Sequence, residues 1–142
     1  MPPVQSCYNN REPVAEQQYI LIVDDEPDFR EIFSTKLSAT GYRVETAENG
    51  ELALKKMAQE VPDLVMMDMK MPVMDGATTV LKMRDDPKLA KVKVAFLTSL
   101  GDPRIDMQEI NKKFSEDFGA QAYLKKTENL ETLVTQIKAI LS

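Results

Sequence analysis

The sequence predicts an α/β protein, a doubly wound five-stranded parallel sheet built from five successive β-then-α units. Three observations predict it. Short apolar runs recur along the chain from Tyr19 onward. Each run is followed by a stretch whose apolar residues repeat at helical spacing. The runs are apolar at consecutive positions, the pattern of strands covered by helices on both faces.

The elements follow in order. Residues 1–18 carry Pro2, Pro3 and Pro13 among Gln, Asn, Ser and Glu with no period, so a disordered or loosely docked arm is expected there, ahead of one domain over 19–142. Tyr19-Ile20-Leu21-Ile22-Val23 reads as the first strand and stops at Asp24-Asp25. Pro27 suits the first turn of a helix, Phe29, Ile32, Phe33 and Leu37 give its apolar face, and Gly41 ends it. Tyr42 to Ala47 reads as a second strand. Asn49 can cap a second helix with Ala53, Leu54, Met57, Ala58 and Val61 on one face. Leu64-Val65-Met66-Met67 is a third strand ending at Asp68, followed by a turn and a helix carrying Val80, Leu81 and Arg84. Val92 to Leu97 is a fourth strand ending at Thr98-Ser99. Met107, Ile110, Phe114 and Phe118 mark a fourth helix, Ala122 to Lys125 a fifth strand, and Leu130, Leu133, Val134, Ile137 and Leu141 an amphipathic last helix.

Composition excludes several function classes. A chain of 142 residues is about one domain, large enough for a real core. Its 18 basic and 23 acidic residues give a net charge of −5, without the basic footprint of direct nucleic-acid binding. No apolar run approaches a membrane span, and the first residues do not read as a secretory signal. The single cysteine, Cys7, forms no internal disulfide, and the cytoplasm is the expected compartment. The absence of histidine rules out Ser-His-Asp catalysis and histidine-ligated zinc. The five glycines form neither a dinucleotide fingerprint nor a P-loop.

In open parallel sheets, ligands bind beyond the carboxyl ends of the strands. Here those ends carry Asp24-Asp25, Asp68, Thr98 and Lys125-Lys126. Taken singly, each has a plain reading: a helix-dipole partner, a turn residue, a loop opening, a solvated face. Their joint occurrence at four strand ends favours chemistry. Converging carboxylates repel unless a hard cation offsets them, and Mg²⁺ suits carboxylates, water and a phosphate oxygen. A lysine and a threonine hydroxyl opposite are what a phosphoryl group needs, and an aspartate can serve as nucleophile on phosphorus.

The residues Ile20-Leu21-Ile22-Val23-Asp24-Asp25-Glu26, Asp68-Met69-Lys70-Met71-Pro72-Val73-Met74-Asp75-Gly76, Thr98-Ser99 and Gly119-Ala120-Gln121-Ala122-Tyr123-Leu124-Lys125-Lys126 resemble the response-regulator receiver domain of two-component signalling, of the single-domain chemotaxis-regulator kind. The resemblance covers nearly nine tenths of the chain. It implies a flavodoxin-like fold with strand order 2-1-3-4-5. It implies Asp68 as phosphoacceptor, and Asp24 and Asp25 as the Mg²⁺-binding acidic pair. The resemblance also implies Asp68 and the backbone carbonyl of Lys70 as ligands of that metal. Thr98 would be the switch hydroxyl, Lys126 the phosphate-contacting lysine and Tyr123 the aromatic coupled to the switch. The implied partners are a histidine kinase or histidine phosphotransfer protein as donor. A downstream protein would be met through the face of the fourth helix, fifth strand and fifth helix. The protein would be a monomer or a phosphorylation-linked dimer, binding neither nucleic acid directly nor membrane.

Two features depart from the family pattern. Thr127 stands where proline usually follows the lysine, which leaves the pose of Lys126 open, with Lys125 a weaker candidate. The stretch from Thr98 to Lys126 is also longer than usual. An aspartate-nucleophile phosphatase is disfavoured because position 70 is Lys where such enzymes carry a second Asp. A phosphate-independent pseudo-receiver is disfavoured because the acidic and lysine positions are all kept.

Overall fold

The computed structural model describes residues 17–69, 74, 76–98, 119–126 and 129–142. Five strands, β1 (Tyr19–Val23), β2 (Arg43–Ala47), β3 (Leu64–Asp68), β4 (Lys93–Thr98) and β5 (Ala122–Lys125), form one sheet in the order β2-β1-β3-β4-β5. Every pairing is parallel. Four helices lie among the described residues: α1 (Pro27–Thr40), α2 (Gly50–Gln59), α3 (Gly76–Asp85) and α4 (Leu130–Leu141). The predicted helix over Met107 to Phe118 lies outside the described residues, so α4 is the fifth of the predicted helices.

Alternate residues of each strand face opposite sides of the sheet, and both sides are buried. Ile20, Ile22, Leu64, Met66, Ala95 and Leu97 pack with Phe33 and Leu37 of α1 and Leu133, Val134 and Ile137 of α4. Leu21, Val23, Val65, Met67, Val94 and Phe96 pack with Ala53 and Met57 of α2 and Val80 and Met83 of α3. This double burial is why β1 and β3 are apolar at every interior position.

Local signals set the helix ends. Pro27 opens α1, and Gly41 closes it at φ 113°, a left-handed cap whose N–H donates to the carbonyls of Leu37 and Ser38. The Asn49 side chain accepts from Leu52 N–H at 2.9 Å. Asn129 does the same for Thr132 at 2.8 Å, a cap that the apolar spacing of α4 does not reveal.

Four apolar residues that the sequence places on helices lie in solvent. Ile32 is 54 % exposed, because the buried row of α1 runs through Phe33 and Leu37 and Ile32 sits about 100° round the helix from Phe33. Leu81 is 50 % exposed for the same reason beside Val80. Ala58 is exposed next to buried Met57, and Val61 lies beyond the end of α2 at Gln59. No described helix is long and apolar enough to cross a membrane.

Candidate functional site

The carboxyl ends of β1, β3, β4 and β5 bring the expected side chains to one edge of the sheet. Asp24 follows β1 directly. Its N–H donates to the Ala47 carbonyl at 3.0 Å, which extends the β1–β2 ladder and drives the side chain inward. Asp24 and Asp68 are buried, while the adjacent Asp25 is exposed. Carboxylate oxygens of Asp24, Asp25 and Asp68 lie within 4.8 Å of one another. Asp68 and Thr98 are the last residues of β3 and β4, and both are buried. Lys126 follows β5, where its N–H donates to the Thr98 carbonyl at 2.8 Å.

Lys126, rather than Lys125, carries its ammonium into the acidic cluster. Its Nζ lies 2.6 Å from Asp24 Oδ2, 2.6 Å from Glu26 Oε1 and 3.4 Å from Asp68 Oδ2. The Phe29 ring flanks it at 5.0 Å. Burial pulls the Lys126 ammonium toward neutrality, but its close contacts with Asp24 and Glu26 and the charges of Asp24 and Asp68 outweigh it, so the pKa rises. The lysine stays charged.

Asp24 is less fully compensated. Burial pushes its carboxyl pKa upward; the contact with Lys126 and the N–H of Glu26, which donates to Oδ1 at 2.9 Å, oppose this without cancelling it. The ion pair to Oδ2 runs off the hydrogen-bond axis, so this buried oxygen has no aligned donor. A buried carboxylate oxygen short of a donor, in an all-oxygen cluster, fits a hard divalent cation. Asp24, Asp25 and Asp68 are the residues that could hold it. The Lys70 carbonyl and Ser99 lie outside the described residues, as do Thr127 and Glu128.

Thr98 and Tyr123 are joined directly. Burial pushes the half-buried Tyr123 phenol up, a side-chain hydrogen bond with Thr98 counters this, and the Asp68 charge adds to the rise. The Tyr123 ring lies 6.2 Å from that of Phe96.

Two contributors escape a reading of motifs alone. Glu26 follows the acidic pair in sequence, and that adjacency was the only signal of its place beside Lys126. Gly76 belongs to the third-strand motif, but its steric role is visible only in three dimensions. A Cβ at Gly76 would lie 2.2 Å from the Asp68 carbonyl oxygen and 3.0 Å from Met67 Cγ.

The family model for the response regulator receiver domain matches residues 20–138. The chain belongs to this family. The receiver fold is shared by chemotaxis protein CheY4 of Vibrio cholerae, 31 % identical, with a TM-score of 0.77 covering 88 % of this chain and 99 % of that one. The receiver domain of a signal transduction histidine kinase from Syntrophus aciditrophicus is 32 % identical, with a TM-score of 0.73 over 87 % of this chain and 89 % of that one. The chain is 39 % identical over 127 residues to the probable transcriptional regulator ycf27 of Guillardia theta, covering 88 % of this chain and 46 % of that protein. It is 34 % identical over 122 residues to the DNA-binding dual master transcriptional regulator RpaA of Synechocystis sp., covering 86 % of this chain and 48 % of that protein. This receiver domain therefore spans about half the length of those two curated relatives. Receiver domains of two-component systems work between histidine kinases and downstream effectors.

Proposed function

We propose that this receiver domain accepts a phosphoryl group on Asp68 from a histidine kinase or histidine phosphotransfer protein in the cytoplasm, and so switches a partner-binding surface. The observation that carries the reading is the placement of Asp68 at the end of β3. There it shares a cluster with Asp24 and Asp25 and lies 3.4 Å from the Lys126 ammonium.

The chemistry follows from what each residue can do. An Asp68 carboxylate oxygen attacks phosphorus, a P–O bond forms, the P–N bond to the donor imidazole breaks, and the nitrogen leaves with the electron pair. Lys126 neutralises charge on the phosphoryl oxygens, and the Thr98 hydroxyl donates to one of them. Mg²⁺, held by Asp24, Asp25, Asp68 and the Lys70 carbonyl, would offset the charge of the transferring group. Attack of water on the acyl phosphate resets the domain. Thr98 is bonded to Tyr123, so a hydroxyl drawn toward the phosphoryl group releases the ring. The altered surface is that of the predicted fourth helix, β5 and α4. Output passes to a partner protein or through a phosphorylation-linked dimer.

Acetyl phosphate with Mg²⁺ is expected to add one phosphoryl group by intact mass, and Asp68→Ala to abolish the addition. Phosphorylation of Asp68→Ala at the parent rate would reject the assignment.

A further inference from the structure

Lys126 offers three N–H donors to three carboxylates, and the three contacts are unequal. The aligned hydrogen bond runs to Glu26 Oε1 at 2.6 Å. Asp24 Oδ2 is equally close but off axis, and Asp68 Oδ2 is more distant at 3.4 Å. The ammonium thus sits closer to Asp24 and Glu26 than to the carboxylate that would receive a phosphoryl group, with which it still pairs. The lysine side chain is 8 % exposed and the Glu26 side chain 60 %. Glu26 therefore meets a buried cation from a largely exposed position.

The Glu26 side chain has no other visible duty in its element. It occupies the N-cap position of α1 without a side-chain cap hydrogen bond, and Pro27 sets the first turn. Asp24 accepts from the backbone N–H of Glu26, a contact that any residue but proline retains.

We infer that Glu26 is a positioning residue that tethers the Lys126 ammonium away from Asp68 and so slows phosphoryl transfer. The inference rests on the proposed phosphorylation of Asp68 and deepens it. Breaking the tether frees one ammonium donor for the phosphoryl oxygens. It also removes a negative charge facing an anionic phosphodonor. An ion pair with one well-exposed partner is screened by solvent, so the effect is modest: the Glu26→Gln protein is expected to phosphorylate about two- to fivefold faster than the parent.

The test uses the full chain with acetyl phosphate at saturating Mg²⁺, with saturation checked for each protein by calorimetry. A gain in rate is an outcome that damage to the fold does not produce. An equilibrium readout accompanies it: NMR titration with beryllofluoride, a phosphoryl mimic, is expected to give a similarly tighter midpoint in Glu26→Gln. The ¹⁵N signal of the Lys126 ammonium is expected to shift in the variant before any donor is added. Glu26→Ala serves as second variant and is expected to behave alike. If the parent takes up phosphoryl and neither variant is faster, the inference alone falls. If the parent takes up none, the phosphoacceptor reading falls and this inference falls with it.

Discussion

At Gly76 the usual preference of helices is reversed. In a helix interior alanine is favoured over glycine by about 1 kcal/mol, and at the first position of α3, where Gly76 stands, even a smaller preference is overridden. Here a methyl group would lie 2.2 Å from the Asp68 carbonyl oxygen, a backbone atom at the end of a fully buried strand. The strand end or the first turn of α3 must give way, and overpacking of this kind typically costs about 1–3 kcal/mol. Gly76→Ala is therefore expected to lower stability in urea unfolding. It should also slow phosphoryl uptake well below its melting temperature, because the displaced atoms carry Asp68. An unchanged uptake rate would mean that the strand end absorbs the methyl group without moving the carboxylate. Gly76 was readable as part of a motif, but not as a steric necessity. The atoms it must clear belong to Asp68 across the loop, and no spacing rule reports that approach.

The elements are joined by contacts that local sequence signals do not describe. Arg84, near the end of α3, donates from Nη1 to the carbonyls of Ala90 and Val92, each at 2.9 Å, and from Nη2 to the Gly119 carbonyl at 3.2 Å. One guanidinium thereby ties the α3–β4 connection to the chain entering β5. Burial pushes its pKa down, yet a guanidinium remains charged at any working pH. Arg84→Met keeps a comparable apolar stem and removes every donor, leaving carbonyls of two connections without it. A loss of about 1–3 kcal/mol is expected by urea unfolding, and faster amide exchange at Gly119 to Gln121 by hydrogen-exchange NMR. Loss of stability without that local change would mean that the arginine acts by packing alone. The sequence placed Arg84 on this helix, but assigned it no partner. Its acceptors are main-chain carbonyls, which every residue type offers alike. The same limit explains Ile32 and Leu81: helical spacing identifies an apolar stripe but not which border of it meets the sheet.

At the scale of the whole molecule, Asp68 is linked through Lys126 to Thr98 and from there to Tyr123: the Lys126 ammonium pairs with Asp68 at 3.4 Å, its N–H donates to the Thr98 carbonyl at 2.8 Å, and the Thr98 side chain bonds Tyr123. A phosphoryl group on Asp68 offers new acceptor oxygens to the Thr98 hydroxyl, which now shares a hydrogen bond with Tyr123. A Thr98 side chain that moves to the phosphoryl group leaves Tyr123, so the expected response is a shift between two populations. Beryllofluoride with Mg²⁺ is expected to move the NMR signals of Thr98, Tyr123 and residues of β5 and α4 together. Shifts confined to the surroundings of Asp68, with Tyr123 unmoved, would reject the coupling.

The sequence by itself determined the layered α/β architecture, because strands buried on both faces must be apolar at every interior position. It also placed Asp24, Asp25, Asp68, Thr98 and the Lys125-Lys126 pair at strand ends, because polar residues that close such runs emerge at the sheet edge. The sequence favoured Lys126 over Lys125, but only the tertiary structure shows the Lys126 ammonium in the acidic cluster, since that depends on which side chain turns toward carboxylates far earlier in the chain. The same holds for Glu26 as partner of Lys126 and for the closeness of Gly76 to Asp68. Contacts between residues on different elements follow from how strands pair and helices pack, and that geometry is a property of the assembled sheet.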